Sequence, residues 1–322
     1  MDNLKEHKPR ALSRLGQSGS IFGIEAVLQK KKNDIPIFLL SADYSVPAGM
    51  TRFIKSFPDA FVNVGIAEQN LIGVAAGIQS EKNIAVASAQ SCFISMRALE
   101  PVRQYMGYMG IPLVLVGVSA GFALTFFGNT HFALEDIGLF DCIDNVCIYS
   151  PSDGLSAISV FRSAISLGKP CYIRCTGSTN TQVIYEKLDE INSDYNILND
   201  GSKTAVISTG VLTGTVANVI ADLKADGHNL GHVDLLQLKP FPYKIFEYLG
   251  RFDNVITFEE HSERTGLGSI LKRESISVGF DTSKIKSMGT GSQSYKAGDY
   301  DYLMRSAGLD YDSIKNKLLV NI

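Results

Sequence analysis

Three short stretches carry side chains able to do acid–base or ring-binding chemistry: Gly65-Ile66-Ala67-Glu68-Gln69-Asn70, Gly128-Asn129-Thr130-His131 and Ser91-Cys92-Phe93-Ile94-Ser95-Met96. Glu68 stands where an apolar run over 61–64, read as a buried strand, ends at a glycine and an Ala/Gly-rich helical pattern over 67–79 begins. Open α/β sheets bind ligands in the crevice outside such strand-to-helix corners. A carboxylate there can hold or share a proton, and burial against Val64 and Ile66 would raise its pKa toward that task. The plainer alternative is a capping role, because the helix dipole favours Glu in a first turn. His131 offers a proton donor or acceptor near neutral pH, although a histidine opening a helix often serves as a cap or core partner. Phe93 follows a strand, where an aromatic is usually core but can also hold a flat ring by stacking, at roughly 0.5–1.5 kcal/mol beyond area burial.

The elements that position these residues alternate in type. Helical periodicity over 12–31 precedes a buried strand over 35–40 that ends in Ser41-Ala42-Asp43. Strands over 84–87, 112–118, 146–149 and 170–174 are interleaved with helices over 93–109, 133–140 and 152–167. A polar stretch over 178–199 reads as a linker with one short strand. A second alternating unit follows, with strands over 204–208, 231–236 and 254–259 and helices over 213–225, 243–249 and 266–278. The fold class is α/β: two consecutive open, mostly parallel sheets with helices on both faces. The expected domains cover 1–180 and 201–322, joined by a linker over 181–200.

Composition excludes several classes. With 322 residues, 45% hydrophobic and 20% charged, the chain reads as a soluble globular protein with room for two domains. A net charge of −3 gives no footprint for nucleic acid. Lys30-Lys31-Lys32 reads as the solvated last turn of a helix. The cysteines at 92, 142, 147, 171 and 175 lack metal or redox spacing and are expected to be buried thiols in a reducing compartment. No run of 18 apolar residues is present, and the charged segment 1–14 lacks a signal-peptide core. A cytoplasmic protein, without membrane contact, is expected.

Gly65-Ile66-Ala67-Glu68-Gln69-Asn70, followed by Gly73-Val74-Ala75-Ala76-Gly77, closely resembles the transketolase and deoxyxylulose-phosphate synthase branch of thiamine diphosphate enzymes. In that family the glutamate bonds the aminopyrimidine N1′ and drives formation of the imino tautomer, which takes the thiazolium C2 proton. The resemblance implies catalytic roles for Glu68 and His131, the latter through a Gly-x-Thr-His motif that faces the substrate channel. It implies cofactor contacts from Glu68, Ile66, Gln90, Phe93 and Met96, with Phe93 stacking on the aminopyrimidine and Met96 standing where a second aromatic is common. Phe258-Glu259-Glu260-His261 and Gly266-Leu267-Gly268 resemble the transketolase C-terminal domain. The family's Gly-Asp-Gly motif for Mg²⁺ and the diphosphate is missing here, so the metal is expected on a partner. The chain thus resembles the second subunit of a split transketolase, paired with a diphosphate-binding N-terminal subunit, and the resemblance implies an α2β2 assembly.

Several sugar-phosphate contacts of ordinary transketolases are replaced. The usual Arg before the first helix falls near Ser20, a Ser falls at Pro47, a His falls at Ser119, an Arg falls near Gly177, and the donor-binding Asp is Phe127. Asp43, Ser119 and Phe127 are expected to line the substrate channel. Without the Arg and His contacts a phosphate dianion loses its usual grip, so a non-standard sugar or a 2-oxo acid substrate is expected. The alternative is that Arg52, Arg97, Arg174 or partner residues take over. Competing readings are the β-type chain of a 2-oxo acid dehydrogenase E1 component, which the Gly-Ile-Ala-Glu-Gln-Asn wording opposes, and a non-catalytic scaffold, which has no need of Glu68, His131 and Phe93 together.

Overall fold

The computed structural model describes residues 20–33, 35–176, 181–291 and 294–322. The expected helix start at Leu12 and the position at Gly177 lie outside the described residues, as does the side chain of Ser20. The strands in chain order are β1 (Ile37–Ser41), β2 (Phe61–Asn63), β3 (Ile84–Gln90), β4 (Val114–Ala120), β5 (Cys147–Tyr149), β6 (Cys171–Thr176), β7 (Tyr195–Asn199), β8 (Thr204–Ser208), β9 (Gly231–Leu235), β10 (Gln237–Lys239), β11 (Asn254–Ser262) and β12 (Ile285–Thr290).

They form two mostly parallel sheets, as the alternation of elements requires. The first runs β10-β5-β6-β4-β3-β1-β2 and the second β12-β11-β8-β9-β7. The antiparallel members are β10 in the first sheet and β7 in the second. Near-continuous apolar runs such as Ile37-Phe38-Leu39-Leu40 and Val114-Leu115-Val116 make the central strands, because helices cover both of their faces. The helix Gly154–Leu167 shows how sequence sets such an element: Asp153 and Ser156 form a capping box at its start, and Gly168 closes it in the left-handed conformation at φ 64°.

The chain steps from β1 outward to β2 and then crosses back to β3 on the other flank of β1. This reversal leaves a crevice at the carboxyl ends of β1 and β3. Asp43, Glu68 and Phe93 follow the carboxyl ends of β1, β2 and β3, and Ser119 is the last residue but one of β4, so all four stand at the ends of neighbouring strands.

Some local expectations change. The run over 61–64 is a partly exposed edge strand, since β2 pairs only with β1. The single helix over 93–109 is three pieces: Ser91–Met96, Leu99–Val102 and a π-helical turn, Arg103–Tyr108. Pro101 has no N–H to give to the preceding turn, which prevents one regular helix. The helix over 133–140 is only Asp136–Asp141, and His131 follows a 3-10 segment, Thr125–Thr130. The polar stretch over 181–199 packs more than its composition suggests. Ile184, Leu188, Ile191 and the buried Tyr185 sit against Leu155 and Ile158, and β7 edges the second sheet. Cys142 is exposed, whereas the other cysteines are buried; all are free thiols. Among the described residues, no helix is long and apolar enough to cross a membrane.

Candidate active site

The turn after β2 places Glu68 at the first position of the helix Glu68–Ser80. Gly65 makes that turn at φ 74°, a left-handed conformation that favours glycine. Asn63 Oδ1 braces it by accepting from the Gly65 and Asp43 amides, at 3.0 Å each. The Glu68 carboxylate is buried, but its burial does not come from Ile66, which is 77% exposed. Its partner is Arg97, whose Nη1 donates to Oε2 at 2.7 Å. The same guanidinium lies over the Phe93 ring, 4.2 Å from its centroid.

Phe93 in turn meets the His131 imidazole edge-on, with centroids 5.2 Å apart. Phe127 also packs against that imidazole, tilted, with centroids 4.7 Å apart. Thr130 Oγ1 and His131 Nδ1 share a hydrogen bond of 2.9 Å, which leaves Nε2 as the nitrogen for external proton traffic. Glu68, Arg97, Phe93, His131 and Phe127 therefore form one continuous row of contacts. Phe126 and Phe127 stand out into solvent, so the mouth of the crevice is apolar.

Other expected residues lie around this row. Met96, on the Phe93 helix, is 47% exposed. Gln90 ends β3, and its Oε1 is buried with no hydrogen-bond partner among the described residues, so it can accept a donor from outside. Asp43 and Ser119 both have positive φ, at 52° and 60°, and mark the bent ends of β1 and β4. The Tyr44 hydroxyl spans these two ends to Ser119 Oγ at 3.3 Å. Cys92, beside Phe93, is no nucleophile: burial pushes its thiol up to about 12.

Arg174 cannot serve an incoming anion. It is 1% exposed, donates to both Asp136 oxygens at 3.0 and 3.1 Å, and bonds the Ala133 and Glu260 carbonyls. Arg97 is engaged by Glu68, while Arg52 is exposed on the helix Thr51–Ser56. The pairing of Arg97 with Phe93 and Glu68 is the feature that motif and periodicity did not bring out. Its signal was the i,i+4 spacing from Phe93, which puts both side chains on one helix face. Among the described residues there is no group of three or more His, Cys, Asp or Glu that could hold a metal ion.

Comparison with known families covers both parts of the chain. Residues 24–180 match the transketolase pyrimidine-binding domain and residues 193–314 the transketolase C-terminal domain. A putative transketolase C-terminal section of Methanocaldococcus jannaschii is 30% identical over 298 residues, covering 92% of this chain and 93% of that protein.

The chain belongs to the transketolase family.

A further relative of this transketolase-family chain is one of the subunits of the apulose-4-phosphate transketolase of Actinobacillus succinogenes. It is 28% identical over 293 residues, or 90% of this chain and 94% of that relative. Among solved structures, a split gene transketolase described as an inactive β4 tetramer superposes with a TM-score of 0.84 at 27% identity, covering 94% of this chain and 96% of that one. Both sheets of the transketolase-family chain, and not the first alone, are thus shared with a split-gene polypeptide.

Proposed function

We propose that this chain is the pyrimidine-binding subunit of a two-component, thiamine diphosphate-dependent transketolase-type enzyme that moves a two-carbon unit between carbonyl compounds. The observation that carries the reading is the buried carboxylate of Glu68, set at a helix start and paired with Arg97, which lies over the Phe93 ring; Gln90 Oε1 is a buried acceptor without a partner among the described residues. Bound thiamine diphosphate would supply the carbon nucleophile and the electron sink for the transfer.

The chain's own residues have separate tasks. Glu68 holds or shares a proton at the ring nitrogen, and its burial keeps water from competing for it. Phe93 offers a flat face to the ring, and Gln90 Oε1 accepts an amino hydrogen. Arg97 occupies both the Glu68 oxygen and the Phe93 face, so it moves aside when a ring takes those contacts. His131 gives and takes a proton at the substrate carbonyl oxygen through Nε2, with its ring set by Thr130 and Phe127. Met96 and Ile66 form the outer rim. Mg²⁺ and the diphosphate fall to the partner, because a hard cation needs several oxygen ligands. An α2β2 assembly brings the two halves of the site together.

The crevice mouth argues for an unusual substrate. Phe127 and Ser119 replace an Asp and a His of the usual lining, beside Asp43, which leaves a more apolar channel without those cationic and donor-binding contacts and suits a non-standard sugar or a 2-oxo acid. The relative that acts on apulose 4-phosphate supports a substrate outside the common pentose and hexose phosphates.

The test is calorimetry of thiamine diphosphate and Mg²⁺ with this chain alone, with a diphosphate-binding partner subunit, and with Glu68→Gln in that mixture, followed by a donor screen. Tight binding only in the mixture, with turnover lost in Glu68→Gln, is the expected result. Tight binding by this chain alone overturns the division of the site, and efficient use of xylulose 5-phosphate overturns the substrate assignment.

A further inference from the structure

The loop that carries His131 leaves the first sheet after β4 and is closed at its neck by paired backbone bonds between Gly121 and Ala133, at 3.0 Å each. Much of what holds this loop in place comes from the other sheet. Glu260, on β11, reaches across and accepts the Phe122 amide on Oε1 at 2.6 Å. Its Oε2 accepts the Tyr300 hydroxyl at 2.7 Å, so both carboxyl oxygens are engaged although the residue is only 3% exposed. The approach is so close that a Cβ on Gly121 would lie 2.2 Å from Oε1, and Gly121 has φ 65°. Glycine is therefore required there on two counts.

The rest of the loop is pinned from both sides, by Arg174 on β6 of the first sheet and by residues that follow β12 of the second. Arg174 Nη2 donates to the carbonyls of Ala133 and of Glu260 itself, at 3.1 and 2.9 Å. Asn129 Oδ1 accepts the Tyr295 amide at 3.1 Å, two residues from His131. Phe122 packs edge-on to Phe132 and Tyr295. The loop's own backbone bonds close the neck and shape the 3-10 segment, with the His131 amide on the Gly128 carbonyl at 2.9 Å, but they do not set how the loop as a whole lies on the sheet; these anchors do.

We propose that Glu260 is a positioning residue: by fixing the neck of the loop from the second sheet it sets where the His131 imidazole points. The C-terminal part of the chain thereby takes part in catalysis without touching substrate or cofactor. The catalytic consequence rests on the function proposed above; the positioning itself does not.

The test reads the histidine ring resonances of the full chain by NMR, with the His131 signal assigned through His131→Gln. In Glu260→Ala the His131 signal is expected to shift or broaden while those of His228 and His232 stay. In the complex with the diphosphate-binding subunit, kcat is expected to fall about tenfold or more, with thiamine diphosphate affinity unchanged within about twofold. Glu260→Gln, which keeps an acceptor for the Phe122 amide, restores both. An unmoved His131 signal, or an equal shift of all histidines, overturns the proposal. If Glu260→Ala does not fold, Tyr300→Phe decides in its place: it removes one donor from Glu260, and again a shifted His131 signal supports the proposal and an unmoved one sinks it. A wild-type complex that binds no thiamine diphosphate counts against the function, while the His131 signal of the free chain still decides the positioning.

Discussion

Arg97 donates to Glu68 Oε2 at 2.7 Å, so a half-exposed guanidinium neutralises a carboxylate that is almost wholly buried. Removing the arginine leaves that charge without its cation. Arg97→Ala is expected to destabilise the free chain by about 1–3 kcal/mol, and Glu68→Gln on the same background to recover much of the loss. Urea denaturation of the four-member cycle measures the coupling. A coupling near zero would show the pair to be an incidental contact.

Arg174 pairs with the buried Asp136 and also bonds the Glu260 carbonyl, so it ties the first unit to β11 and holds the neck of the His131 loop without meeting substrate. Arg174→Ala is expected to cost about 3–5 kcal/mol, because Asp136 would stay buried and uncompensated. Arg174→Lys should recover little, since one ammonium cannot reach Asp136 and both carbonyls at once. Thermal and urea unfolding check both variants, and full rescue by lysine would contradict the role of the planar fork.

Phe127 makes the crevice mouth apolar beside His131. Phe127→Asp is expected to lower KM for polyhydroxylated donors about tenfold in the assembled enzyme and to raise it for deoxy or 2-oxo acid donors. Steady-state kinetics with paired donors reads this directly. No change in preference would remove Phe127 from the channel.

Asp234 is buried among the hydroxyls of Ser152, Tyr185 and Thr213, and burial pushes its carboxyl up to about 7 from an ordinary value near 3.8. Between those values the folded chain keeps a proton that the unfolded chain has released, so stability falls as pH rises through that window and levels off above it. Relative to Asp234→Asn, the wild type is expected to lose on the order of 4 kcal/mol from pH 4 to pH 7. Denaturant midpoints at several pH values check the slope, and parallel curves for the two proteins would refute it. His261, lowered to about 4 by burial, and Glu259, raised to about 8 by burial, act in both proteins and cancel in the comparison.

Much of the first sheet was legible because hydrophobic period and glycine position are local signals. Glu68 could be placed at a strand-to-helix corner from the Gly65 turn and the Ala/Gly-rich helix alone. The broken helix after Phe93 was legible in principle from Pro101, but an apolar periodicity running through it masked the break. The packing of 181–191 was not legible, since a polar composition does not reveal that Tyr185 will find the hydroxyl-rich pocket of Asp234.

The amino-acid sequence by itself determined the alternation of elements, the corner that carries Glu68 and the aromatic and imidazole residues available to it, because each depends on neighbours a few residues away. Only the tertiary structure decided that Arg97 answers Glu68, that Phe126 and Phe127 open onto solvent, and that β10 crosses to the first sheet. It alone joined Glu260 to Phe122, residues 138 apart in the chain. Such contacts follow from strand order and register, which bring distant segments together, and no local pattern encodes which of many polar groups will meet there.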